Sequence, residues 1–164
     1  MSTHAAHGTH TTHGRPNGYT SLTPFVAVSP ATDALRFYCD VYGATVIGQT
    51  MFGDVLAHAE LAFEHGRLQL GEPSPDYGLA RQSSDDTSCY SIALYCSDVD
   101  LVVERAVAAG ATVREPATDF VSGDRFASIR DPFGVRWSIM TRVEDISDSE
   151  SAHRVDEWAK TQSG

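Results

Sequence analysis

Short runs of alternating apolar and polar residues begin at residue 20, and one segment within them changes to helical spacing. The run SLTPFVAV at 21–28 has the β-branched and aromatic content of a strand. In ALRFYCDVYG at 34–43, apolar residues recur every three to four positions, and Gly43 is a typical helix stop. Three strand-like runs follow, ATVIGQTMF, LAHAELAFEHG and RLQLGE, the last two joined by a Glu-His-Gly turn. The pattern predicts a βαβββ module over residues 20–73.

The same order of elements returns after a polar stretch at 74–88 that has the composition of a linker. CYSIALYCS predicts a strand, and DVDLVVERAVAAG predicts a helix that is capped by Asp98 and ends at Gly110. ATVREPATDF, DRFASIRDPFG and VRWSIMTR predict three more strands. A second βαβββ module is therefore expected over residues 89–143.

The two halves also match in sequence. YGATV at 42–46 corresponds to AGATV at 109–113, and the segment from Gly53 runs parallel to the segment from Gly123, with Gly66 opposite Gly134. This is one supersecondary unit used twice. Because one module cannot cover both faces of its own sheet, we expect two paired modules with a concave sheet surface between them. The predicted fold class is α+β.

Both ends of the chain differ from this pattern. Residues 1–18 are low in complexity and have little to bury, which predicts disorder. Their histidines, at every third position from His4 to His13, favour a solvated tail, with metal scavenging as the alternative. Residues 148–164 predict a short acidic helix capped by Ser147 or Ser149, either docked through its few apolar side chains or peripheral.

Composition excludes several classes of function. The 164 residues carry a formal net charge of −10, so no basic surface is available to neutralise nucleic-acid phosphates. No apolar run approaches the roughly 20 residues that span a bilayer. The polar N-terminus lacks the apolar core of a secretory signal. Three cysteines without paired spacing favour reduced thiols in a cytoplasmic protein.

Several segments together resemble one superfamily. They are TPFVAV, ALRFYCDVYGA, HAEL, VAAGATV, GDRFASIRDPFGVRW and VEDIS, and they span about residues 20–147. They are similar to the vicinal oxygen chelate superfamily, which includes glyoxalase I, extradiol dioxygenases and bleomycin-binding proteins, and within it to the PhnB-like subgroup. The resemblance implies one domain over 19–147, with curled mixed sheets around a cavity, helices outside, and a homodimer.

Metal-dependent members of that superfamily place four ligands, usually His and Glu, on the first and last strands of each module. Those positions correspond here to Thr23, Gln69, Ser91 and Ser138. Neutral hydroxyl and amide groups are a poor match for such metals. We therefore expect no metal and no other cofactor, with a relocated divalent ion as the alternative.

Candidate functional residues share strand faces. His58 and Glu60 lie two apart on one strand, so they point the same way and form a candidate acid/base pair or a satisfied polar pair. The candidate ligand-binding residues are the four positions above together with residues on the same strands whose side chains point to the same side. Tyr95 is taken as the position in module two that corresponds to Phe25 in module one. These added positions are Phe25, Tyr95, Arg136 and Met140, and for Phe25 and Tyr95 plain core packing is the alternative.

Two functions follow from these candidates. One is a metal-free protein that binds a small organic molecule, such as an antibiotic, without turnover. The other is a lyase or isomerase that uses His58 and Glu60 or a relocated metal. Arg136 suits a ligand carboxylate or phosphonate, or else a surface ion pair. Whether the chain is an enzyme is left open by these residues.

Overall fold

A computed structural model describes residues 4–162 and divides the chain into two compact units, residues 1–81 and 82–164. The division falls within the stretch predicted as a linker. That stretch has local structure of its own: a 3-10 turn spans Pro75–Tyr77, and Ser74 and Leu79 form an isolated β-bridge.

The first unit contains a small hairpin followed by one βαβββ module. Its elements are β1 (Thr11–Thr12), β2 (Arg15–Pro16), β3 (Phe25–Ala27), α1 (Ala31–Tyr42), β4 (Thr45–Phe52), β5 (Val55–Phe63) and β6 (Gly66–Gly71). The four strands of the module form a sheet in the order β3-β6-β5-β4, in which β3 and β6 are parallel and the other pairs are antiparallel.

The second unit repeats this topology. Its elements are β7 (Ile92–Tyr95), α2 (Val99–Ala108), β8 (Thr112–Asp119), β9 (Asp124–Arg130), β10 (Arg136–Arg142) and α3 (Asp148–Gln162). The sheet order is β7-β10-β9-β8, again with the first and last strands parallel. In both units the spatial order is first, last, third and second strand of the module. The predicted α+β fold with two βαβββ modules is confirmed.

In the first unit, α1 contacts β5 and β6 and covers one face of the sheet. Leu61, Leu68 and Leu70 are buried there, and alternate residues of the same strands are only half-buried. Leu56 is also buried because the β4–β5 register shifts beside it, which changes the alternation at that point. The opposite face is therefore free to carry polar groups.

The helix α1 begins three residues earlier than the apolar spacing predicted. The amide of Ala31 donates a 2.6 Å hydrogen bond to the Glu72 carboxylate, which comes from the segment after β6. This long-range acceptor satisfies one free N–H of the first turn and places negative charge at the positive end of the helix. A local pattern contains no sign of a cap that comes from 41 positions away.

In the second unit, Trp137 and Ile139 are buried on the face of β10 that α2 covers. The indole N–H of Trp137 donates to Asp131 Oδ2 at 2.9 Å, and Asp131 Oδ1 accepts the amides of Phe133 and Val135. The Asp-Pro-Phe-Gly segment is thus a turn that fixes Trp137, as the Pro and Gly content predicted.

Both predicted caps of the second unit are present. The Asp98 side chain accepts the amide of Leu101 at the start of α2, and Ser147 Oγ accepts the amide of Glu150 at the start of α3. The helix α3 is docked, because its buried Ser151 donates to the Ser122 carbonyl and Trp158 packs edge-on against Phe120.

Of the segment predicted to be disordered, residues 4–18 contain local structure, and residues 1–3 lie outside the described residues. Residues 11–16 form the β1–β2 hairpin, in which Gly14 takes a positive φ of 80° and the Asn17 amide side chain bridges Thr9 and Thr12. Short turn-forming side chains therefore order a segment that lacks apolar residues.

Within residues 4–162, no helix is long and apolar enough to cross a membrane.

Candidate functional site

The candidate site in the first unit is the sheet face opposite α1. Phe25 on β3, Gln69 on β6 and Glu60 on β5 are cross-strand neighbours in one row. Residues opposite each other in adjacent strands point to the same side. The pattern of half-buried residues on β5 and β6 places His58 and Arg67 on this side as well. We call this set, with Tyr19, the module-one face. Thr23 lies two residues before Phe25, outside β3.

One part of the module-one face is an aromatic wall. The rings of Phe25 and His58 stack with centroids 6.1 Å apart and an interplanar angle of 27°. Gly71 makes room for this arrangement, because a Cβ at that position would lie 3.2 Å from Phe25 Cζ and 2.2 Å from the Ala57 carbonyl oxygen. The wall offers a flat surface of the kind that binds planar organic groups.

The other part is a charged corner built by Glu60 and Arg67. Arg67 Nη1 and Glu60 Oε1 are 3.9 Å apart, and only 12% and 13% of the two side chains is exposed. The Tyr19 hydroxyl donates to Glu60 Oε2 at 2.5 Å. The Arg67 guanidinium lies over the Tyr19 ring, 4.1 Å from its centroid, and Arg67 Nε donates to the Gly18 carbonyl. The segment 18–19 is therefore attached to this corner by three interactions.

These contacts change the acidity of Tyr19. The hydrogen bond to the Glu60 carboxylate raises the pKa of the Tyr19 phenol, with desolvation and the charge of Glu60 acting in the same direction. The positive charge of Arg67 acts against this rise. The phenol is a neutral donor at physiological pH.

His58 and Glu60 share the module-one face but are not joined by a hydrogen bond. The carboxylate of Glu60 is directed to Tyr19 and Arg67, and His58 is held by stacking on Phe25. A carboxylate that orients an imidazole must accept one of its N–H groups. The two predicted catalytic residues are thus neighbours with separate partners.

In the second unit, the corresponding face of the sheet carries hydroxyl groups. Ser138 on β10 is in register with Ala93 on β7 and Ser128 on β9. Ser138 Oγ and Ser91 Oγ are 2.8 Å apart and hydrogen-bonded to each other. Two of the four positions implied by the resemblance therefore meet, and each uses the other as a partner.

Arg136 is the main charged group near these serines. Its Nε donates to Ser128 Oγ at 3.0 Å, and its Nη2 forms a 2.8 Å ion pair with Glu115. Of the two predicted roles for Arg136, the ion pair is the one that the structure shows.

Tyr95 lies at the other end of this face, in register with Met140. Its hydroxyl is 3.4 Å from Oδ1 of Asp124, a buried carboxylate that also accepts a 2.8 Å bond from Arg142. Since Phe25 pairs with Gln69 and Ala93 pairs with Ser138, the counterpart of Phe25 is Ala93. Treating Tyr95 as that counterpart was wrong by two residues, because the short runs SLTPFVAV and CYSIALYCS do not fix the register alone.

Sequence reasoning missed two residues of the module-one face, Tyr19 and Arg67. Arg67 had a usable signal, because it alternates with Gln69 along β6 and must share its face. Tyr19 had none, because it lies directly after the predicted tail and outside every predicted strand and helix.

The four positions implied for a metal do not fit one. Thr23, Gln69, Ser91 and Ser138 offer only neutral oxygens, and the hydroxyls of Ser91 and Ser138 are bonded to each other. Glu60, the carboxylate next to Gln69, has the Arg67 guanidinium beside it, where a cation would be repelled. Within residues 4–162, no three His, Cys, Asp or Glu side chains are grouped to hold a metal ion.

Comparison with known proteins identifies relatives over most of the chain. The model of the Glyoxalase/Bleomycin resistance protein/Dioxygenase superfamily matches residues 18–139. An uncharacterised protein of Mycobacterium bovis is 32% identical over 132 residues, which cover 77% of this chain and 86% of the relative. An uncharacterised protein of Mycobacterium tuberculosis is also 32% identical over 132 residues, 77% of each chain.

Solved structures share the fold. TioX from Micromonospora sp. ML1 has a TM-score of 0.61 at 22% identity, over 75% of this chain and 98% of that one. A gene product of Arabidopsis thaliana has a TM-score of 0.60 at 26% identity, over 74% of this chain and 98% of its own. A glyoxalase-related enzyme from Fulvimarina pelagi has a TM-score of 0.58 at 20% identity, over 74% and 87% of the two chains.

Proposed function

Because the chain belongs to the Glyoxalase/Bleomycin resistance protein/Dioxygenase superfamily, we propose that it is a metal-free protein that binds a small organic molecule, such as an antibiotic or natural product. The ligand lies on the module-one face and is bound without turnover. The observation that carries this proposal is the composition of that face, where the Phe25–His58 wall stands beside the charged corner of Glu60 and Arg67. An apolar wall with a few convergent polar groups is typical of small-molecule sites.

The enzymatic alternative receives less support. An acid/base pair of His58 and Glu60 needs the carboxylate to hold the imidazole, whereas Glu60 is bonded to Tyr19 and faces Arg67. A relocated divalent ion would need a cluster of anionic or imidazole ligands, and Glu60 stands beside a cation.

The hydroxyl-rich face of the second unit is proposed as a separate candidate binding surface. Ser91, Tyr95, Arg136, Ser138 and Met140 supply hydrogen-bond donors and one apolar side chain. The ion pair of Arg136 with Glu115 is partly exposed, so its exchange for a ligand carboxylate has a small cost.

The assembly and setting are proposed from the resemblance and the composition. We assign the chain to the PhnB-like subgroup, to the cytoplasm and to a homodimer.

The edge strand β4 supports the dimer, because its eight residues, TVIGQTMF, are all exposed in the single chain and none is charged. Exposed edge strands normally carry charges or proline that block pairing, and a second copy of β4 would cover this one.

The binding proposal is tested by isothermal titration calorimetry of chelator-treated protein with four aromatic probes, benzylamine, benzyl alcohol, benzoate and quinoline. We expect saturable 1:1 binding of at least one probe, weakened about tenfold or more by Phe25→Ala. The control is Tyr77→Ala, which removes a ring that is 81% exposed and outside the face. Catalytic turnover that depends on His58, or binding that requires added divalent metal, would contradict the proposal.

A further inference from the structure

Tyr19 occupies the charged corner of the module-one face in the way that a bound ligand would. Its ring lies beneath the guanidinium of Arg67, and its hydroxyl donates to Glu60. Tyr19 itself belongs neither to the module's sheet nor to α1, because it lies in the segment between β2 and β3. The side chain enters from outside the module and covers two of its charged groups.

The corner is only partly satisfied by this occupant. Glu60 Oε1 and Arg67 Nη1 are buried and have no hydrogen-bond partner within the described residues, although they lie 3.9 Å apart. Leaving buried charged groups without hydrogen bonds is costly. Tyr19 thus uses one carboxylate oxygen and the face of the guanidinium, and leaves the other oxygen and one guanidinium nitrogen unused.

Resting on the proposed binding function, we infer that the corner is a ring-binding site for hydroxylated aromatic molecules and that Tyr19 is its intramolecular occupant. A ligand of this class displaces Tyr19, donates its hydroxyl to Glu60 and places its ring against Arg67. The remaining carboxylate oxygen and guanidinium nitrogen accept and donate further hydrogen bonds to ligand substituents. No covalent bond is made or broken in this exchange.

The chemistry of the corner selects this class. The Glu60 carboxylate needs a donor, and a phenolic O–H is a stronger donor than an aliphatic hydroxyl. The Arg67 guanidinium prefers the electron-rich face of an aromatic ring. The adjoining Phe25–His58 wall extends the flat surface beyond the space that one phenol ring fills. An aromatic ring without a hydroxyl satisfies only one of these requirements.

Displacement also sets the apparent affinity. A site that is occupied by its own chain binds a ligand only in the fraction of molecules in which the occupant has left. Removing Tyr19 therefore strengthens the binding of a phenol at the same position. Retaining the ring without its hydroxyl, as in Tyr19→Phe, gives an intermediate effect.

The test measures p-cresol, the side chain of tyrosine as a free molecule, by calorimetry against wild type, Tyr19→Ala and Tyr19→Phe. We expect Tyr19→Ala to bind p-cresol with 1:1 stoichiometry, about tenfold or more tighter than wild type, with Tyr19→Phe between them. Toluene should bind Tyr19→Ala at least about tenfold more weakly than p-cresol. Glu60→Gln added to Tyr19→Ala should reduce this difference, because a neutral amide oxygen accepts a weaker hydrogen bond than a carboxylate does. Tyr77→Ala is the matched control and should behave as wild type.

Equal p-cresol affinity in wild type and Tyr19→Ala, or equal affinity of Tyr19→Ala for toluene and p-cresol, would overturn the inference. Thermal melts of each variant show that it is folded. If Tyr19→Ala is unfolded, wild type is compared with Tyr19→Phe instead. The inference then requires Tyr19→Phe to bind p-cresol more tightly than wild type does. If these variants show no gain while the Phe25-dependent probes still bind, this inference fails and the proposed function stands. If neither p-cresol nor those probes bind, both fail.

Discussion

The hydroxyl of Tyr19 donates a 2.5 Å hydrogen bond to Glu60 Oε2, across 41 positions of sequence. This bond attaches the segment before the first module strand to the open face of that module's sheet. It also engages the carboxylate of Glu60, which the sequence analysis paired with His58. The arrangement gives the N-terminal segment a direct influence on the candidate site.

The bond between Tyr19 and Glu60 makes the attachment sensitive to alkaline pH. Because the folded-state pKa of the Tyr19 phenol is raised above its ordinary value near 10, its contribution is fully present below pH 10 and is lost as the pH rises through the folded pKa. A titration of tyrosinate absorbance at 295 nm, with Tyr19→Phe subtracted, should show one phenol that ionises above the ordinary value. Subtraction of Tyr77→Phe serves as the control, and a normal or lowered pKa for Tyr19 would contradict the assignment.

The indole of Trp137 should be important for stability through Asp131. Trp137→Phe removes the 2.9 Å hydrogen bond to this buried carboxylate, so we expect a loss of about 1.5–3 kcal/mol in the free energy of unfolding. Urea denaturation followed by circular dichroism measures the change. Trp158→Phe, at a half-exposed site, should alter stability by less than about 0.5 kcal/mol. Equal losses of unfolding free energy in the two variants would show that the hydrogen bond to Asp131 does not stabilise the fold.

Gly71 should not tolerate a side chain. In Gly71→Ala, the new Cβ would lie 2.2 Å from the Ala57 carbonyl oxygen, so β5 and β6 must separate at that point. We expect a loss of about 1–3 kcal/mol in the free energy of unfolding, with weaker binding on the neighbouring Phe25–His58 wall. Gly48→Ala is the matched control, because nothing lies within 4 Å of a Cβ there. A Gly71→Ala protein as stable as Gly48→Ala would contradict the close approach.

The exposed edge strand β4 should mediate the proposed homodimer. Ile47→Lys and Phe52→Lys each place a charge on this edge, where the present side chains are apolar and exposed, and should shift the protein towards monomer. Sedimentation velocity over a concentration series measures the shift. Tyr77→Lys changes an exposed residue outside the edge and should leave the dimer intact. A wild-type monomer at all concentrations, or a dimer unaffected by both β4 variants, would contradict this interface.

The fold was predictable because its information is local and repeated. Period-two and helical patterns located both βαβββ modules, and the Asp98 and Ser147 caps are within four residues of the helix starts that they mark. The α1 start at Ala31 was missed because its acceptor, Glu72, is far away in sequence.

The candidate site was predictable only in part, for a related physical reason. Strand alternation placed His58 and Glu60 on one face, and the resemblance to the superfamily implied that Ser91 and Ser138 belong to one site. Which partner each polar group selects depends on contacts between distant segments, as in the choice of Tyr19 by Glu60. A single sequence contains no local pattern for such a choice. The sequence therefore predicted an acid/base pair of His58 and Glu60, whereas in the structure Glu60 accepts a hydrogen bond from the phenol of Tyr19.

The most direct test of the central claim is the titration of chelator-treated protein with the four aromatic probes, carried out before and after addition of a divalent metal. The account predicts saturable binding that needs Phe25 and has the same affinity in both conditions. Binding that appears only after the metal is added would contradict it.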